Sequence, residues 1–398
     1  MTLGLGVLRI PLPKGFLASG VNCGVRRYRP DIGMIISEVP AVAAGVFTLN
    51  ECKAAPVLYS QALLPADNVR AIFTNSGQAN AATGSEGAEK NLMMVSAAAK
   101  ALGCDQNQVL VASTGKIGEQ LDTDKILPAM QELVDRANDS AESFATAILT
   151  TDLVPKTVTN MVQLSGGLIR ITGISKGSGM IHPNMATMLG YILTDAKITK
   201  QYANELVKRT ADVSFNMISV DGDSSTNDCS FLMANGASGV ELKTDDDFQK
   251  FSQAVEEISI FLAKAIAADG EGATKLIEVQ VQNCSQLDLA RKAARGVTLS
   301  PLVKTAIHGE DPNWGRILAR LGAEGVPASE LQVMSLKLQN IEIFANGRPV
   351  LFVRDELKAL LKQSIVTVTI DLKSGPFSAT AWGCDLSKKY VDINTEYS

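Results

Sequence analysis

The sequence is poor in the residues from which many active sites are built. It contains two histidines, His182 and His308, and six cysteines that form no CxxC pair and have no histidine at the spacing of a zinc site. A serine–histidine–aspartate triad would have to use one of those two histidines. Scattered cysteines are typical of a reducing compartment, so we expect a cytoplasmic protein without a disulfide scaffold or a bound metal.

Two further features are missing, and each excludes a class of partner. No run of about 18 apolar residues occurs, and the first residues lack a basic start followed by a long apolar core, so we expect neither a membrane span nor a signal peptide. The net charge is −5, from 37 basic and 42 acidic residues, which gives no reason to expect nucleic acid or a membrane surface as partner. A small-molecule substrate is the better expectation.

The chain has neither internal repeats nor low-complexity segments, and strand and helix patterns are interspersed along both halves. An apolar strand pattern at 69–73 precedes a helical pattern at 86–103, and a second helical pattern covers 199–218. This mixture predicts an α/β or α+β fold in layers rather than an all-α or all-β fold. At 398 residues, the chain is long enough for two domains or lobes.

The most distinctive segment is KGSGMIHPNMATMLGYILTDA, residues 176–196. A Gly-Ser-Gly loop and a Pro-Asn corner lead to Thr187, and the apolar run over 188–193 predicts a buried strand. A threonine at such a junction can attack the carbonyl of its preceding residue, and hydrolysis of the ester leaves Thr187 as a new chain start. Its freed α-amine, with a pKa near ~8, can then accept the proton of its own hydroxyl. The alternative is an ordinary threonine that opens a strand after a turn.

This segment resembles the self-cleavage segment of the ArgJ family, the ornithine acetyltransferases of arginine biosynthesis. In that family cleavage falls before the threonine of an ATML tetrad, which here is between Ala186 and Thr187. His182 and His308 stand where family members often have an alanine and a bulky apolar residue. Other segments are similar to family motifs: NSGQANA (75–81), VDGDSSTND (220–228), GEGATK (270–275) and GEDPNWGR (309–316).

Thr114 and Gly115 follow a buried strand pattern, and backbone N–H groups at such a corner can stabilise a developing oxyanion. In the family, the matching Thr-Gly pair is assigned to the oxyanion hole. From the residues alone, the alternative is a type II turn that caps the next helix. For the NSGQANA corner, the alternatives are a ligand contact and a plain helix N-cap region.

The resemblance also implies substrate-binding residues besides the nucleophile: Thr150, Lys176, Glu271, Asn394 and Ser398. A lysine before the glycine loop could pair with a substrate carboxylate, and an acid between glycines could bind an amine. Thr151 remains an alternative to Thr150. Ser398 lies four residues after Asn394, whereas the family's hydroxyl residue usually stands five residues after its asparagine.

The resemblance implies a glutamate N-acetyltransferase. In this reaction Thr187 takes the acetyl group of N2-acetylornithine and passes it to glutamate by a ping-pong mechanism, without a cofactor, although acetyl-CoA is a possible second donor. The implied fold is a DmpA/ArgJ-like sandwich of sheets and helices. Cleavage gives an α chain of residues 1–186, which contains the oxyanion hole, and a β chain of residues 187–398, and the two chains assemble as an α2β2 heterotetramer.

Two other functions are compatible with parts of this pattern. A related enzyme with the same N-terminal threonine could be an aminopeptidase or amidase, in which water accepts the acyl group. An uncleaved homologue could act as a binding protein, although it would be expected to have lost Thr187, Thr114 or Lys176, and all three are present. The GEDPNWGR and GEGATK motifs favour the acetyltransferase.

Overall fold

The computed structural model describes residues 9–182 and 188–395. These residues form two compact units. The first unit contains residues 9–177, 188–211 and 225–262, and the second contains residues 178–182, 212–224 and 263–395. Each unit has one large β-sheet.

Strands and helices are interspersed along the described residues. The strands are β1 (Phe16–Val21), β2 (Ile32–Phe47), β3 (Ala66–Gln78), β4 (Val109–Lys116), β5 (Lys156–Leu164), β6 (Gly167–Lys176), β7 (Leu189–Thr194), β8 (Ile218–Ser219), β9 (Cys229–Ala234), β10 (Leu276–Cys284), β11 (Ser335–Leu338), β12 (Ile341–Ala345), β13 (Arg348–Pro349), β14 (Ile365–Asp371) and β15 (Phe377–Cys384). The α-helices are α1 (Ala55–Leu63), α2 (Gly84–Leu102), α3 (Thr123–Ile126), α4 (Met130–Asp135), α5 (Glu142–Ala147), α6 (Lys200–Val213), α7 (Asp245–Ala268), α8 (Leu287–Leu299), α9 (Pro301–His308), α10 (Trp314–Ala323), α11 (Ala328–Val333), α12 (Arg354–Leu360) and α13 (Lys388–Thr395).

The sheet of the first unit has eight strands in the order β4-β3-β2-β9-β7-β6-β5, with β1 paired to β2 outside this path. β3 runs parallel to β4, and β7 runs parallel to β9, while the other neighbours are antiparallel. Lys176, the last residue of β6, pairs with Leu189, and Leu189 also pairs with Cys229. The end of β6 and the starts of β7 and β9 therefore lie at one edge of the sheet.

Both faces of this sheet are covered, which explains why β7 is buried along its whole length. Successive strand residues alternate between the two faces. Ile35 lies on one face with Phe144 of α5 and Tyr191 of β7, whereas Met34 lies on the other face with Met94 of α2. Burying each large apolar side chain of this kind contributes about 1.5–3 kcal/mol, so these two clusters hold the sheet and its helices together.

The sheet of the second unit has seven strands in the order β13-β12-β11-β14-β10-β15-β8. β10 runs parallel to β14, β15 runs parallel to β8, and the other pairs are antiparallel. The GEDPNWGR motif joins α9 to α10, and its Asn313 side chain accepts a hydrogen bond from the Arg316 N–H. The motif thus supplies the N-cap of α10.

The layered mixture of sheets and helices confirms the predicted fold class. The strand predicted over 188–193 corresponds to β7, and the helix predicted over 86–103 corresponds to α2. The helix predicted over 199–218 ends earlier, at Val213, because Ser214 leaves the helical backbone region with φ −127° and ψ −89°. The predicted boundary between the α chain and the β chain is the peptide bond between Ala186 and Thr187. The packing of the described residues does not test whether this bond is cleaved, so the two chains remain a prediction.

Two observations apply to residues 9–182 and 188–395 only. No helix there has both the length and the apolar character needed to cross a membrane. The same residues contain no group of three or more side chains that could hold a metal ion.

Candidate active site

Thr114 and Gly115 lie in β4, which continues to Lys116. The structure therefore places them in a strand, and not in the type II turn that the residues alone also allowed. Gly115 has a φ of 131° and pairs with Gly77 of the parallel strand β3. A Cβ at Gly115 would lie 2.5 Å from the backbone nitrogen of Gln78 and closer still to Gly77. Only glycine allows this conformation and this approach of the two backbones.

Amide side chains tie the NSGQANA corner to β4. The Ser113 hydroxyl donates a hydrogen bond of 2.5 Å to the Asn75 side-chain oxygen. Asn227 donates hydrogen bonds to the carbonyls of Ser113 and Ala79, at 2.9 and 2.6 Å. The N-cap residue of α2 forms no side-chain capping bond. The polar residues of this corner therefore fix the backbone beside the two oxyanion-hole candidates rather than cap the helix.

Lys176 and Thr150 are brought together in the first unit. Lys176 is 2% exposed, and its Nζ donates a hydrogen bond of 3.4 Å to the Thr150 hydroxyl. This contact favours Thr150 over Thr151 as the threonine of the site. Burial lowers the pKa of Lys176, and the carboxylates of Asp152 and Asp228 partly offset this effect.

Asp152, which the sequence did not single out, binds the backbone N–H groups of Thr150 and of Gly177, the residue after Lys176. Its Oδ1 accepts hydrogen bonds from Lys156 Nζ and from the Gly177 N–H, both at 2.7 Å. Its Oδ2 accepts one from the Thr150 N–H at 3.1 Å. Burial raises the pKa of Asp152, but Lys156 and Lys176 outweigh it and hold the pKa at about 2. Asp152 is therefore a buried carboxylate that sets the positions of Thr150 and Gly177.

Asp228 is a second buried carboxylate that the sequence analysis did not assign. It ends the VDGDSSTND motif directly before β9, and its Oδ1 accepts a hydrogen bond of 3.0 Å from the Met188 N–H. Burial raises the pKa of Asp228 well above its usual range, and Lys176 opposes this rise. Charged residues at loop ends usually indicate solvated turns, so only the fold reveals that Asp152 and Asp228 are buried.

Glu271 and Asn394 are brought together in the second unit. The Asn394 amide donates a hydrogen bond of 2.9 Å to Glu271 Oε2. The Glu271 N–H donates one of 3.1 Å to the Ser178 carbonyl, and a Cβ at Gly179 would lie 2.5 Å from Glu271 Oε2. The Glu271 carboxylate therefore lies against the glycine loop, in a space that only glycine leaves open.

Asp221 of the VDGDSSTND motif binds the backbone that precedes the predicted cleavage site. Its carboxylate oxygens accept hydrogen bonds from the N–H groups of Met180 and Ile181, at 2.6 and 2.9 Å. Burial raises the pKa of Asp221 to about 6, although these bonds oppose the rise. Asp221 therefore holds the backbone of residues 180 and 181 in place.

The two histidines lie in different surroundings within the second unit. His308 Nδ1 is 2.7 Å from Asp385 Oδ2, and Asp385 also accepts a hydrogen bond from the Thr274 N–H. Burial lowers the pKa of His182, and the positive charge of Arg295 lowers it further. The sequence analysis assigned no role to either histidine.

Three of the predicted site residues lie outside the described residues: Ala186, Thr187 and Ser398. The structure describes the remaining ones in two groups. Thr114, Gly115, Thr150 and Lys176 belong to the first unit, and Glu271 and Asn394 belong to the second.

Comparisons with known proteins point to one family. The family model described as "ArgJ family" matches residues 17–398. The arginine biosynthesis bifunctional protein ArgJ of Oceanobacillus iheyensis is 46% identical over 97% of this chain and 95% of its own length. The protein of the same name from Thermotoga neapolitana is 45% identical over 97% of this chain and 99% of its own length. A crystal structure of the Bacillus halodurans ArgJ protein is 38% identical, with a TM-score of 0.51, over 52% of this chain and 99% of that one.

The contact between Gly115 and β3 predicts a large cost for adding a side chain. Gly115→Ala places a Cβ against backbone atoms at a φ of 131°, so we expect a loss of about 3 kcal/mol or more in the free energy of unfolding. Gly118→Ala is the matched control, because Gly118 has a φ of 86° but nothing within 4 Å of a Cβ. Its cost should be about 1 kcal/mol. Urea denaturation of both variants measures the difference, and equal costs would contradict the close approach.

The raised pKa of Asp221 predicts a pH-dependent stability term. A carboxyl that is a weaker acid in the folded chain contributes stability below about pH 4, and this contribution is lost as the pH rises through about 6. Asp221→Asn removes the titration. Between pH 4 and pH 7, the wild-type free energy of unfolding should therefore fall by on the order of 2 kcal/mol relative to the variant. Urea titrations at several pH values measure this change, and a relative rise with pH would show that the pKa is not raised.

Proposed function

The chain belongs to the ArgJ family and is an acetyltransferase of arginine biosynthesis, and we propose that it transfers the acetyl group of N2-acetylornithine to glutamate. The main support is the buried ammonium group of Lys176. Among the residues described by the structure, Lys176 forms no ion pair, and its hydrogen bond to Thr150 is long at 3.4 Å. A buried cation needs a counter-charge, and both substrates have an α-carboxylate that would supply it.

The proposed chemistry begins with Thr187, which self-cleavage after Ala186 frees as the first residue of the β chain. Its α-amine takes the proton of its hydroxyl, and the hydroxyl oxygen attacks the acetyl carbon. The negative charge that develops on the acetyl oxygen is stabilised by backbone N–H groups at Thr114 and Gly115. The rigid pairing of Gly115 with Gly77 supports this role, because an oxyanion hole must be fixed before the reaction starts.

Glu271 would recognise the amine end of the substrate. The Glu271 carboxylate can pair with the side-chain ammonium of ornithine. The hydrogen bond from Asn394 supports this role, because it orients Glu271 Oε2. Ser398 is proposed to assist here on the family resemblance alone.

Further properties are proposed on the resemblance. The enzyme would need no cofactor, with acetyl-CoA as a possible second acetyl donor. The α chain of residues 1–186 and the β chain of residues 187–398 would assemble as an α2β2 heterotetramer in the cytoplasm. The aminopeptidase or amidase alternative shares the acyl-enzyme and differs in the acceptor, and the ArgJ relatives favour the acetyltransferase over it.

An acetyl-transfer assay tests this function. With N2-[14C]acetylornithine as donor, the wild-type enzyme should label glutamate, and Thr187→Ala should not. Lys176→Met should raise the KM of both substrates by about tenfold to a hundredfold, since it removes a charge-assisted contact to each carboxylate. Lys197→Met is the matched control, because Lys197 is exposed.

The products distinguish the alternatives. Radioactive acetate formed at the same rate with and without glutamate would identify an amidase. An unchanged KM in Lys176→Met would contradict the assignment of Lys176 to the substrate carboxylates.

A further inference from the structure

Asp228 holds the backbone of Met188, the second residue after the proposed cleavage site. Asp228 directly precedes β9, and Met188 directly precedes the parallel strand β7. The pairing of Leu189 with Cys229 therefore brings Asp228 and Met188 side by side. Its Oδ1 accepts a hydrogen bond of 3.0 Å from the Met188 N–H, and the Met188 carbonyl accepts one of 3.3 Å from the Cys229 N–H. Both backbone polar groups of Met188 are therefore fixed by residues 228 and 229.

The second carboxylate oxygen of Asp228 is buried without a partner. Asp228 is 1% exposed, and no group in residues 9–182 and 188–395 forms a hydrogen bond with its Oδ2. Buried polar atoms nearly always have a hydrogen-bond partner, and exceptions often mark a catalytic role. The unsatisfied oxygen therefore indicates a partner outside the described residues.

Of the two buried carboxylates near Lys176, Asp152 and Asp228, only Asp228 has an oxygen that accepts no hydrogen bond from the described residues. Lys176 and Cys229 are the charged or titratable groups that interact electrostatically with Asp228. Asp152 and Lys156 act on Lys176. Asp152 already accepts hydrogen bonds through both of its oxygens. Burial raises the pKa of Asp228, and Lys176 opposes this rise, as a further positively charged partner would.

We propose that Asp228 is the positioning residue for the α-amine that self-cleavage creates at Thr187, with Oδ2 as the acceptor of a hydrogen bond from that amine. This inference rests on the function proposed above. One peptide bond joins Thr187 to Met188, so covalent geometry keeps the amine nitrogen within about 4 Å of the Met188 nitrogen that Asp228 binds.

The bond assists both steps of acetyl-enzyme formation. When Thr187 Oγ attacks the acetyl carbon, its proton moves to the α-amine, which becomes an ammonium group. As the tetrahedral intermediate collapses, the C–N bond to ornithine breaks and the ammonium returns the proton to the leaving nitrogen. Asp228 stabilises the ammonium and keeps the amine a useful base in surroundings where burial alone would lower its pKa.

Asp228→Asn removes the negative charge and keeps the shape of the side chain. Its amide oxygen can still accept the hydrogen bond from the Met188 N–H. We expect this variant to cleave itself, and its kcat to fall at least about tenfold with a KM within about threefold of wild type. The acidic limb of its kcat–pH profile should move to lower pH. Asp223→Asn, which alters an exposed carboxylate of the same motif, is the matched control and should retain the wild-type kcat.

Two results with this variant would overturn the proposal: a wild-type kcat and pH profile, or a folded Asp228→Asn protein that stays uncleaved. If the variant does not fold, the wild-type amine can be titrated by the pH dependence of its carbamylation by cyanate. We expect its pKa to match or exceed that of the urea-denatured β chain, and a clearly lower value would overturn the proposal. A wild-type enzyme that transfers no acetyl group would instead overturn the proposed function.

Discussion

The buried ion pair between Asp152 and Lys156 is the interaction on which the first unit's part of the site depends. Both side chains are almost completely buried, and Asp152 uses its remaining capacity to bind the N–H groups of Thr150 and Gly177. Thr150 contacts the Lys176 side chain, and Gly177 follows Lys176 in the sequence. Removing one partner of such a pair leaves an uncompensated charge in the interior, at a cost of about 3–5 kcal/mol. The pair therefore positions Thr150 and Gly177 more than it stabilises the fold.

Burial of charge also explains how this unit suits acyl transfer. An electrostatic contact is stronger in a site from which water is excluded than at the surface, and it needs little reorganisation during the reaction. Lys176 and Asp228 are both buried, and neither is in a short ion pair among the described residues. In the proposed mechanism the partner of Lys176 is a substrate carboxylate, and the partner of Asp228 is the amine that self-cleavage frees.

The sequence predicted those parts of the structure that depend on local pattern or on whole motifs. The apolar run after Thr187 indicated β7, and family motifs indicated Thr150, Lys176, Glu271 and Asn394, which the structure places in two contacting pairs. It did not predict Asp152 or Asp228, because a charged residue in a polar turn is usually solvated. Their burial follows from how distant strands assemble, and local sequence contains no signal of that.

The corner at Gly115 illustrates a related limit. A Thr-Gly pair after an apolar run is compatible with a turn or a strand, and the parallel pairing with β3 decides between them. That pairing joins residues almost forty positions apart in the chain, Gly77 and Gly115. Non-local pairing of this kind is what determines the geometry of an oxyanion hole.

Intact-protein mass spectrometry of freshly purified wild type and Thr187→Ala tests the central claim most directly, because the nucleophile and the base of the proposed mechanism both depend on cleavage. The account predicts two polypeptides for the wild type, with breakage between residues 186 and 187, and one chain of 398 residues for the variant. A single chain of 398 residues in both samples would contradict it.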